Sequence, residues 1–248
     1  MFLATAVVSG RWVARRRIAK CEGLDDYVVS FSLILSWAMT ALIAAEVNGG
    51  RGVYAGPVQL QTIAKLVIAS NCLWILIVNI TKASILIQYL RIFSDPPLRR
   101  ICYLFLTLLL PAASWALFAG IFLCTPTAKL WNPTITGHCI SAQRYWLSVA
   151  GTDISLDFLI LLLPLPAITA LHLPRKQKII LVALFGLGFF VCAVSVVRLL
   201  TVLIAANQGH YVQSGLWAVI WSAVEANVGI TCASLLSLKP LLAFDGVE

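Results

Sequence analysis

The hydrophobic positions of this chain fall into long runs that are separated by short polar segments. A helical run of about 20 apolar residues is long enough to cross roughly 30 Å of hydrocarbon. Six runs reach that length, and one at the start is shorter. The predicted spans are approximately 1–14 (partial), 27–47, 64–91, 101–123, 145–169, 179–206 and 215–238. The pattern therefore predicts an all-α membrane protein, a single seven-helix transmembrane bundle over residues 1–248 whose first helix is short or truncated.

Composition supports a membrane protein and argues against a nucleic-acid partner. Of the 248 residues, 60% are hydrophobic and 11% are charged, whereas soluble domains carry roughly 25% charged residues. The formal net charge is +8, but the basic residues form short clusters between apolar runs, as the loops of membrane proteins do. We expect the lipid bilayer as a partner and no nucleic acid.

The basic residues also predict the orientation of the chain. On one side of the membrane they cluster before the second span, after the third, after the fifth and after the last. They are Arg11, Arg15, Arg16, Arg17, Lys20, Arg91, Arg99, Arg100, Arg175, Lys176, Lys178 and Lys239. The opposite side has only Arg51, Lys65, Lys129 and Arg144. By the positive-inside rule the N-terminus is outside or lumenal and the C-terminus is cytoplasmic, in the plasma membrane or an endomembrane.

Two cysteines flank the longest polar connection, which lies between the fourth and fifth predicted spans. Under this orientation Cys124 and Cys139 are in an oxidising compartment, where disulfides form and persist. A Cys124–Cys139 disulfide is our hypothesis, and two free thiols are the alternative. The chain has no Cys-x-x-Cys spacing, so the cysteines do not indicate a metal site.

Charged and amide side chains recur inside the predicted spans. An ionised group at bilayer depth costs several kcal/mol or more unless it is paired or hydrated, so such residues are functional or pairing positions by default. Asp153 and Asp157 are spaced i, i+4, which puts them on one helix face. The predicted polar core or ligand pocket comprises Asn79, Lys82, Asp153, Asp157, Arg198, Glu225 and Asn227.

Depth along the helices predicts which of these charges pair. Counted from the outer boundary, the depth of Arg198 favours Asp153 or Glu225 as its partner. Lys82 lies deeper, and Asp157 is its predicted partner. This assignment leaves Asp153 as a shallower group that faces the mouth of the bundle.

The same charges allow several interpretations. They are either structural ion pairs that fix the register of the helices or the lining of a pocket for a ligand. A membrane cyclase is a further alternative, in which Asp157 or Glu225 protonates an olefin or an epoxide. The signal for catalysis is not specific, so the sequence favours binding over enzymatic activity and assigns no catalytic residue.

Cofactor chemistry receives little support. A retinal protein needs a mid-span lysine for its Schiff base, but the last span has none, and Lys82 lies in the third span. The three histidines, which are His138, His172 and His210, fall in predicted loops. We therefore expect no cofactor and no metal.

Acidic residues meet basic ones at the predicted cytoplasmic start of the second span. Asp25 and Asp26 follow Arg15, Arg16 and Arg17 closely in sequence, which predicts a cytoplasmic salt bridge. Contact between the acidic pair and a cytoplasmic signalling partner such as a G protein is the alternative.

Several short motifs occur in a specific order along essentially the whole chain. They include Arg15-Arg16-Arg17 with Leu24-Asp25-Asp26-Tyr27, Lys82-Ala83-Ser84-Ile85-Leu86 with Tyr89-Leu90-Arg91-Ile92-Phe93, Phe122-Leu123-Cys124-Thr125-Pro126 with Trp131 and Cys139, Asp157 with Pro164-Leu165-Pro166, Arg198, and Trp221-Ser222 with Glu225. Together they resemble the fungal rhodopsin-domain family of integral membrane proteins. One departure is Gly50-Arg51-Gly52-Val53-Tyr54, where the family pattern is Gly-x-Gly-x-His.

The resemblance implies a seven-helix fungal membrane protein. Some members are GPCR-like receptors of pathogenic fungi, and others are encoded beside secondary-metabolite genes, including the satratoxin group. We therefore expect a GPCR-like membrane protein that binds a small lipophilic or amphipathic molecule within the bundle. The alternative is a membrane-embedded enzyme or carrier of a secondary-metabolite biosynthetic pathway.

Overall fold

The computed structural model describes residues 1–19, 23–49, 57–93, 95–132, 134–165, 175–207 and 211–244. Within them the chain forms seven α-helices. These are α1 (Phe2–Val13), α2 (Leu24–Gly49), α3 (Pro57–Ile92), α4 (Pro96–Ile121), α5 (Ala142–Leu162), α6 (Arg175–Asn207) and α7 (Tyr211–Phe244). A π-helical segment, Ala14–Ala19, continues α1. Lys20, the segment 50–54, Pro166, His172 and His210, and with them the last residues of the fifth predicted span, lie outside the described residues.

The predicted all-α membrane fold is confirmed, and the seven helices follow the predicted spans in order. Among the described residues, five helices are long and apolar enough to cross a membrane, namely α2, α3, α4, α5 and α7. The described part of α6 contributes a shorter apolar stretch, Phe185–Thr201. Helix α1 has 12 residues, in agreement with the short first apolar run.

The outer surface of the bundle is apolar. On α4 the side chains of Leu104, Leu110, Trp115 and Phe118 are all more than half exposed. In water such a continuous apolar surface would promote aggregation, whereas in a bilayer it is solvated by lipid tails. The helix begins with Pro96 and Pro97, which are tolerated in the first turn because the N–H groups there lack intrahelical partners.

Helices α3 and α7 occupy the centre of the bundle. Helix α3 packs against α2, α4, α5 and α7, and α7 packs against α1, α2, α3 and α6. The buried side chains of Trp74, Ile77, Val29 and Ile230 belong to the main apolar core between α2, α3 and α7. Because α1 also packs against α7, the first and last helices are neighbours and the bundle is closed.

The connection between α4 and α5 holds a two-stranded antiparallel ribbon. Strand β1 (Cys124–Thr125) pairs with β2 (His138–Cys139), and Cys124 lies opposite Cys139. The two cysteines form a disulfide, so the predicted Cys124–Cys139 bond is confirmed. We call this end of the bundle the disulfide end and the opposite end, where α2 begins and α3 finishes, the arginine end.

Candidate ligand pocket

Lys82 of α3 lies between the two carboxylates of α5. Its Nζ is 2.7 Å from Oδ1 of Asp153 and 3.2 Å from Oδ1 of Asp157. It also donates to the backbone carbonyl of Asp153 at 3.0 Å. An ammonium group has three donors, so one lysine serves both carboxylates that the i, i+4 spacing places on one face of the helix.

The predicted contact between Lys82 and Asp157 is present, but the structure corrects the predicted position of Asp153. Asp153 makes the shorter contact with Lys82, and its side chain is 9% exposed, compared with 13% for Asp157. Asp153 is therefore a buried partner rather than a group at the mouth of the bundle. Depth predicts this contact poorly because the four-carbon stem of a lysine carries its ammonium several Å along the helix axis.

Arg198 of α6 pairs with Glu225 of α7, which is one of its two predicted partners. Nε of Arg198 lies 3.1 Å from Oε2 of Glu225, close enough for an ion pair but without the alignment of a hydrogen bond. Trp74 of α3 donates its Nε1–H to the same oxygen at 2.8 Å, and its ring lies 3.6 Å from the guanidinium carbon of Arg198. Ser195 donates to the other carboxylate oxygen of Glu225. Three helices thus hold this ion pair.

The two ion-pair groups are parts of one cluster. One carboxylate oxygen from each of Asp153, Asp157 and Glu225 lies within 4.8 Å of the other two. We call Lys82, Asp153, Asp157, Arg198 and Glu225 the polar core. If all five groups are ionised, it carries one negative charge in excess. Oδ2 of Asp153, Oδ2 of Asp157 and Nη2 of Arg198 are buried without a hydrogen-bond partner among the described residues, so the cluster retains hydrogen-bonding capacity.

The three carboxylates of the polar core also have the spacing of a cation site. Carboxylate oxygens are the ligands that hard cations such as Ca²⁺ and Mg²⁺ prefer. The ammonium of Lys82, however, already lies within ion-pair distance of Asp153 and Asp157. A divalent ion bound there would have to displace it.

The two predicted asparagines lie in different places. The amide of Asn79 donates to the carbonyl of Ile75 in its own helix at 2.8 Å, and its side chain lines a small cavity of about 20 Å³ beside Asp153. Asn227 donates to the carbonyl of Ala223 and accepts a long hydrogen bond from Ser36 of α2. Asn79 is therefore adjacent to the polar core, whereas Asn227 faces α2.

A pocket of about 100 Å³ lies beside the polar core, between α3, α5, α6 and α7. Its polar end is formed by Lys82, Asp157 and Glu225. Asp153 and Arg198 do not line it. From the polar core the pocket extends toward the arginine end between aliphatic and aromatic side chains, including Ile85, Tyr89, Phe93, Ile160, Phe185 and Leu236. The pocket is thus polar at one end and apolar along its length.

A second ionic cluster, which we call the arginine–aspartate cluster, joins α1 to α2 at the arginine end. Arg11 contacts Asp25 at 2.5 Å and Asp26 at 2.6 Å, and Arg15 contacts the same two residues at 2.7 and 2.8 Å. Arg11 is fully buried, and its Nη1 also donates to the carbonyl of Ala233 in α7 at 3.0 Å. The cluster therefore fastens the first, second and last helices to one another.

The structure brings only part of the predicted salt bridge together. Arg15 pairs with both aspartates, whereas Arg16 lies over the ring of Trp12, 4.2 Å from its centroid. Arg17 is exposed. Arg91 at the end of α3 supplies a further contact, 3.4 Å from Oδ1 of Asp25. Because both aspartates are buried by arginines, they do not form an exposed acidic surface for a partner.

The fold and these two clusters define a multi-pass membrane protein whose helix bundle encloses a buried ionic core beside an apolar pocket. The chain also matches the sequence profile of the Fungal rhodopsin domain over residues 10–244. It belongs to that family, as the order of its motifs predicts.

The relatives include a membrane protein, a biosynthesis-cluster protein and a receptor. A SAT4 family membrane protein of Emericella nidulans is 33% identical over 160 residues, which are 61% of this chain and 41% of the relative. Wortmanamides biosynthesis cluster protein C of Talaromyces wortmannii is 27% identical over 249 residues, 94% of this chain and 65% of the relative. Receptor GIN3 of Arthrobotrys oligospora is 23% identical over 244 residues, 96% of this chain and 59% of the relative. The chain thus spans less than two thirds of the length of these relatives, and no solved structure matches it.

Several residues that contact or belong to the two clusters are absent from the sequence-based site. Trp74 and Ser195 hold Glu225, and Arg11 is the most buried arginine of the arginine–aspartate cluster. A mid-span tryptophan carries an N–H that needs an acceptor in hydrocarbon, and this is the signal that could have indicated Trp74. A serine in an apolar helix has no comparable signal, because it commonly bonds to its own backbone.

Proposed function

We propose that this protein binds a small lipophilic or amphipathic molecule in the pocket between α3, α5, α6 and α7, as a GPCR-like membrane protein. The observation that carries the proposal is the pocket itself, which has apolar walls and a polar end. Ligand sites are typically concave and mostly apolar, with a few polar groups that fix orientation, and in helix bundles they lie between helices. The family includes a relative named as a receptor.

The positive-inside rule supports a cytoplasmic position for the arginine end. Arg17, Arg99 and Arg100 are exposed there, and basic residues concentrate on the cytoplasmic side of membrane proteins. In the proposed orientation the disulfide end is outside or lumenal, and a cytoplasmic signalling partner would meet a basic surface. The pocket then lies in the cytoplasmic half of the bundle, beyond the polar core.

Glycine positions allow a direct test of the pocket. Gly229 lines it, and a Cβ built there comes no closer than 3.7 Å to a neighbouring atom, so Gly229→Leu adds bulk to the pocket. Gly186 of α6 is exposed, and a Cβ there meets nothing within 4 Å, so Gly186→Leu is a matched control. Small molecules that co-purify with the wild type from fungal membranes are compared by mass spectrometry with those from each variant.

The expected result is a compound that is present with the wild type and with Gly186→Leu and depleted with Gly229→Leu. Equal compound profiles for the three proteins would contradict binding in the pocket. Circular dichroism and the elution volume in detergent check that the two variants are folded.

A second candidate function is participation in a biosynthetic pathway, as a carrier or an enzyme for a lipophilic metabolite. It is supported by the biosynthesis-cluster name of one relative and by the position of the pocket in the proposed cytoplasmic half, where an intracellular metabolite can reach it. Deletion of the gene followed by metabolite profiling separates the two candidates. Loss or accumulation of one compound supports the pathway function, whereas an unchanged metabolite profile with an altered response to an external stimulus supports the receptor.

A further inference from the structure

We propose that the pocket takes an amphipathic molecule with a cationic amine head, and that the head lies against Asp157 and Glu225 while the apolar part extends toward Phe93. This inference rests on the proposed function, because it specifies the ligand class of the same pocket. It follows from the charge of the polar core, the donors and acceptors left open in it, and the shape of the pocket.

The polar core contains more negative than positive side chains. The polar core has three carboxylates and two cations, and all five side chains are at least 87% buried. An uncompensated charge is costly in such surroundings and requires a proton or a counter-ion. An ammonium head balances the excess negative charge, whereas a carboxylate head would double it.

The polar end of the pocket has an open hydrogen-bond acceptor. Of the two cations, Lys82 already contacts both Asp153 and Asp157. Arg198 is paired with Glu225 and lies against the ring of Trp74, and its open Nη2 does not reach the pocket, because Arg198 is not a lining residue. Oδ2 of Asp157 has no partner among the described residues. Carboxylates accept hydrogen bonds and ammonium groups only donate them, so a small shift of the Asp157 side chain completes its bonding with an amine.

The pocket is elongated along α3. Lys82 and Ile92 both line the pocket and are ten positions apart on α3, which corresponds to about 15 Å along the helix. Between them the walls are apolar or aromatic, with Tyr89 and Phe185 on opposite helices. The charged groups of the lining, Lys82, Asp157 and Glu225, lie at one end only. This arrangement matches an amphipathic molecule that has a single charged head. Aromatic walls favour a ring or a short hydrocarbon as its apolar part.

The test uses three small probes that differ only in the head: 2-phenylethylamine, 2-phenylethanol and 3-phenylpropionate. Their dissociation constants are measured by calorimetry on the full chain in lipid nanodiscs. We expect the amine to bind about tenfold more tightly than the alcohol, as for one hydrogen bond to a charged group, and the acid to bind most weakly. This comparison needs no variant, so it does not depend on whether a substituted polar core folds.

Variants then locate the head. Asp157→Asn should reduce the preference for amine over alcohol to less than about threefold, because it removes the excess charge. Glu46→Gln is the matched control, since Glu46 is a buried carboxylate of α2 that accepts from Ser70 at 2.6 Å and does not line the pocket. It should retain the full preference for the amine. Gly229→Leu should weaken binding of all the probes.

Three outcomes overturn the amine proposal. If the alcohol or the acid binds as tightly as the amine and Gly229→Leu removes that binding, the pocket function stands and the cationic ligand is wrong. A second outcome has three parts: Na⁺ stabilises the protein and K⁺ does not, Asp157→Asn abolishes that stabilisation, and the amine shows no preference. The polar core then binds an inorganic cation instead of an amine. If no probe binds, the amine proposal fails, and the co-purified compounds decide the pocket function separately.

Discussion

The guanidinium carbon of Arg198 lies 3.6 Å from the centroid of the Trp74 ring, and the same indole donates a hydrogen bond to Glu225, the ion-pair partner of Arg198. The tryptophan thus contacts the cation through its face and the anion through its edge. These are the positions that the ring quadrupole and the polar N–H favour. Trp74 of α3 thereby links the ion pair of α6 and α7 to the helix that carries Lys82.

The edge contact can be removed while the ring is kept. Trp74→Phe retains an aromatic face for Arg198 but deletes the hydrogen bond to Glu225, which should cost about 1.5–3 kcal/mol as for a bond to a charged group. Trp115→Phe is the control, because Trp115 of α4 is exposed and its bond to Ser148 is long, at 3.5 Å. Denaturant titration in mixed micelles measures both. Equal stability of the two variants would contradict the role of the indole N–H.

Removing the cation itself should have a larger effect. Arg198→Ala leaves Glu225 buried without its countercharge, which should lower the free energy of unfolding by about 3–5 kcal/mol. Arg144→Ala, at an exposed position near the start of α5, should change it by less than about 0.5 kcal/mol. Thermal melting in detergent compares the two variants. An Arg198→Ala protein that melts like the wild type would show that the pair does not stabilise the bundle.

The two aspartates of α5 should differ in their contribution to stability. Asp153→Asn weakens the shorter and more buried contact with Lys82, so it should destabilise the protein more than Asp157→Asn, by about 1 kcal/mol or more. The two substitutions are chemically identical and one helical turn apart, so each is the control for the other. Melting of both variants without added ligand measures the difference. The reverse order would restore Asp157 as the principal partner of Lys82.

The arginines of the N-terminal segment should also differ. Arg11 is fully buried between two carboxylates and the carbonyl of Ala233, so Arg11→Ala should cost about 3–5 kcal/mol. Arg17→Ala removes the same charge from an exposed site and should have little effect. Thermal melting, together with limited proteolysis of α1, distinguishes the variants. If both melt alike, the cluster is not a stability element.

The disulfide should stabilise the α4–α5 connection. Replacing Cys124 and Cys139 together by serine opens a loop with a sequence separation of 15, which in the chain-entropy account costs about 3 kcal/mol. Cys72→Ser, at a half-buried free thiol, controls for loss of a sulfur atom. Mass spectrometry of alkylated, unreduced peptides verifies the bond, and melting measures its effect. A double variant as stable as Cys72→Ser would contradict this expectation.

Long apolar runs specify the helices of this protein well, because the requirement to span hydrocarbon leaves few alternatives. The same requirement identifies Lys82, Asp157, Arg198 and Glu225, since charges in apolar helices are conspicuous. Which charges meet is harder to predict. Pairing depends on the rotation of each helix about its axis and on which helices are its neighbours. Depth along the helix shows neither, so the sequence predicts Asp153 at the mouth of the bundle, whereas the structure pairs it with Lys82.

The pocket and the residues that hold the ion pairs, such as Trp74 and Ser195, could not be predicted either, because they depend on how distant helices pack. The pocket is bounded by four helices, and its position toward the arginine end follows from how their side chains fill the interior. Trp74 and Ser195 contribute through contacts with residues more than 29 positions away. The sequence groups Arg11 only with the basic residues that precede the second span, because the length of the short first run does not show which helices it packs against.

The hydrogen bond from Arg11 to the carbonyl of Ala233 joins positions that are 222 residues apart. During synthesis, the contacts of Arg11 and Arg15 with Asp25 and Asp26 can form as soon as α2 has entered the membrane, because those residues are at most 15 positions apart. The bond to Ala233 must await the last helix. Until then the faces of α1, α2 and α3 that pack against α7 contact lipid or the insertion machinery. Closure of this bundle therefore requires a docking step in which α7 packs against helices that are already in the membrane.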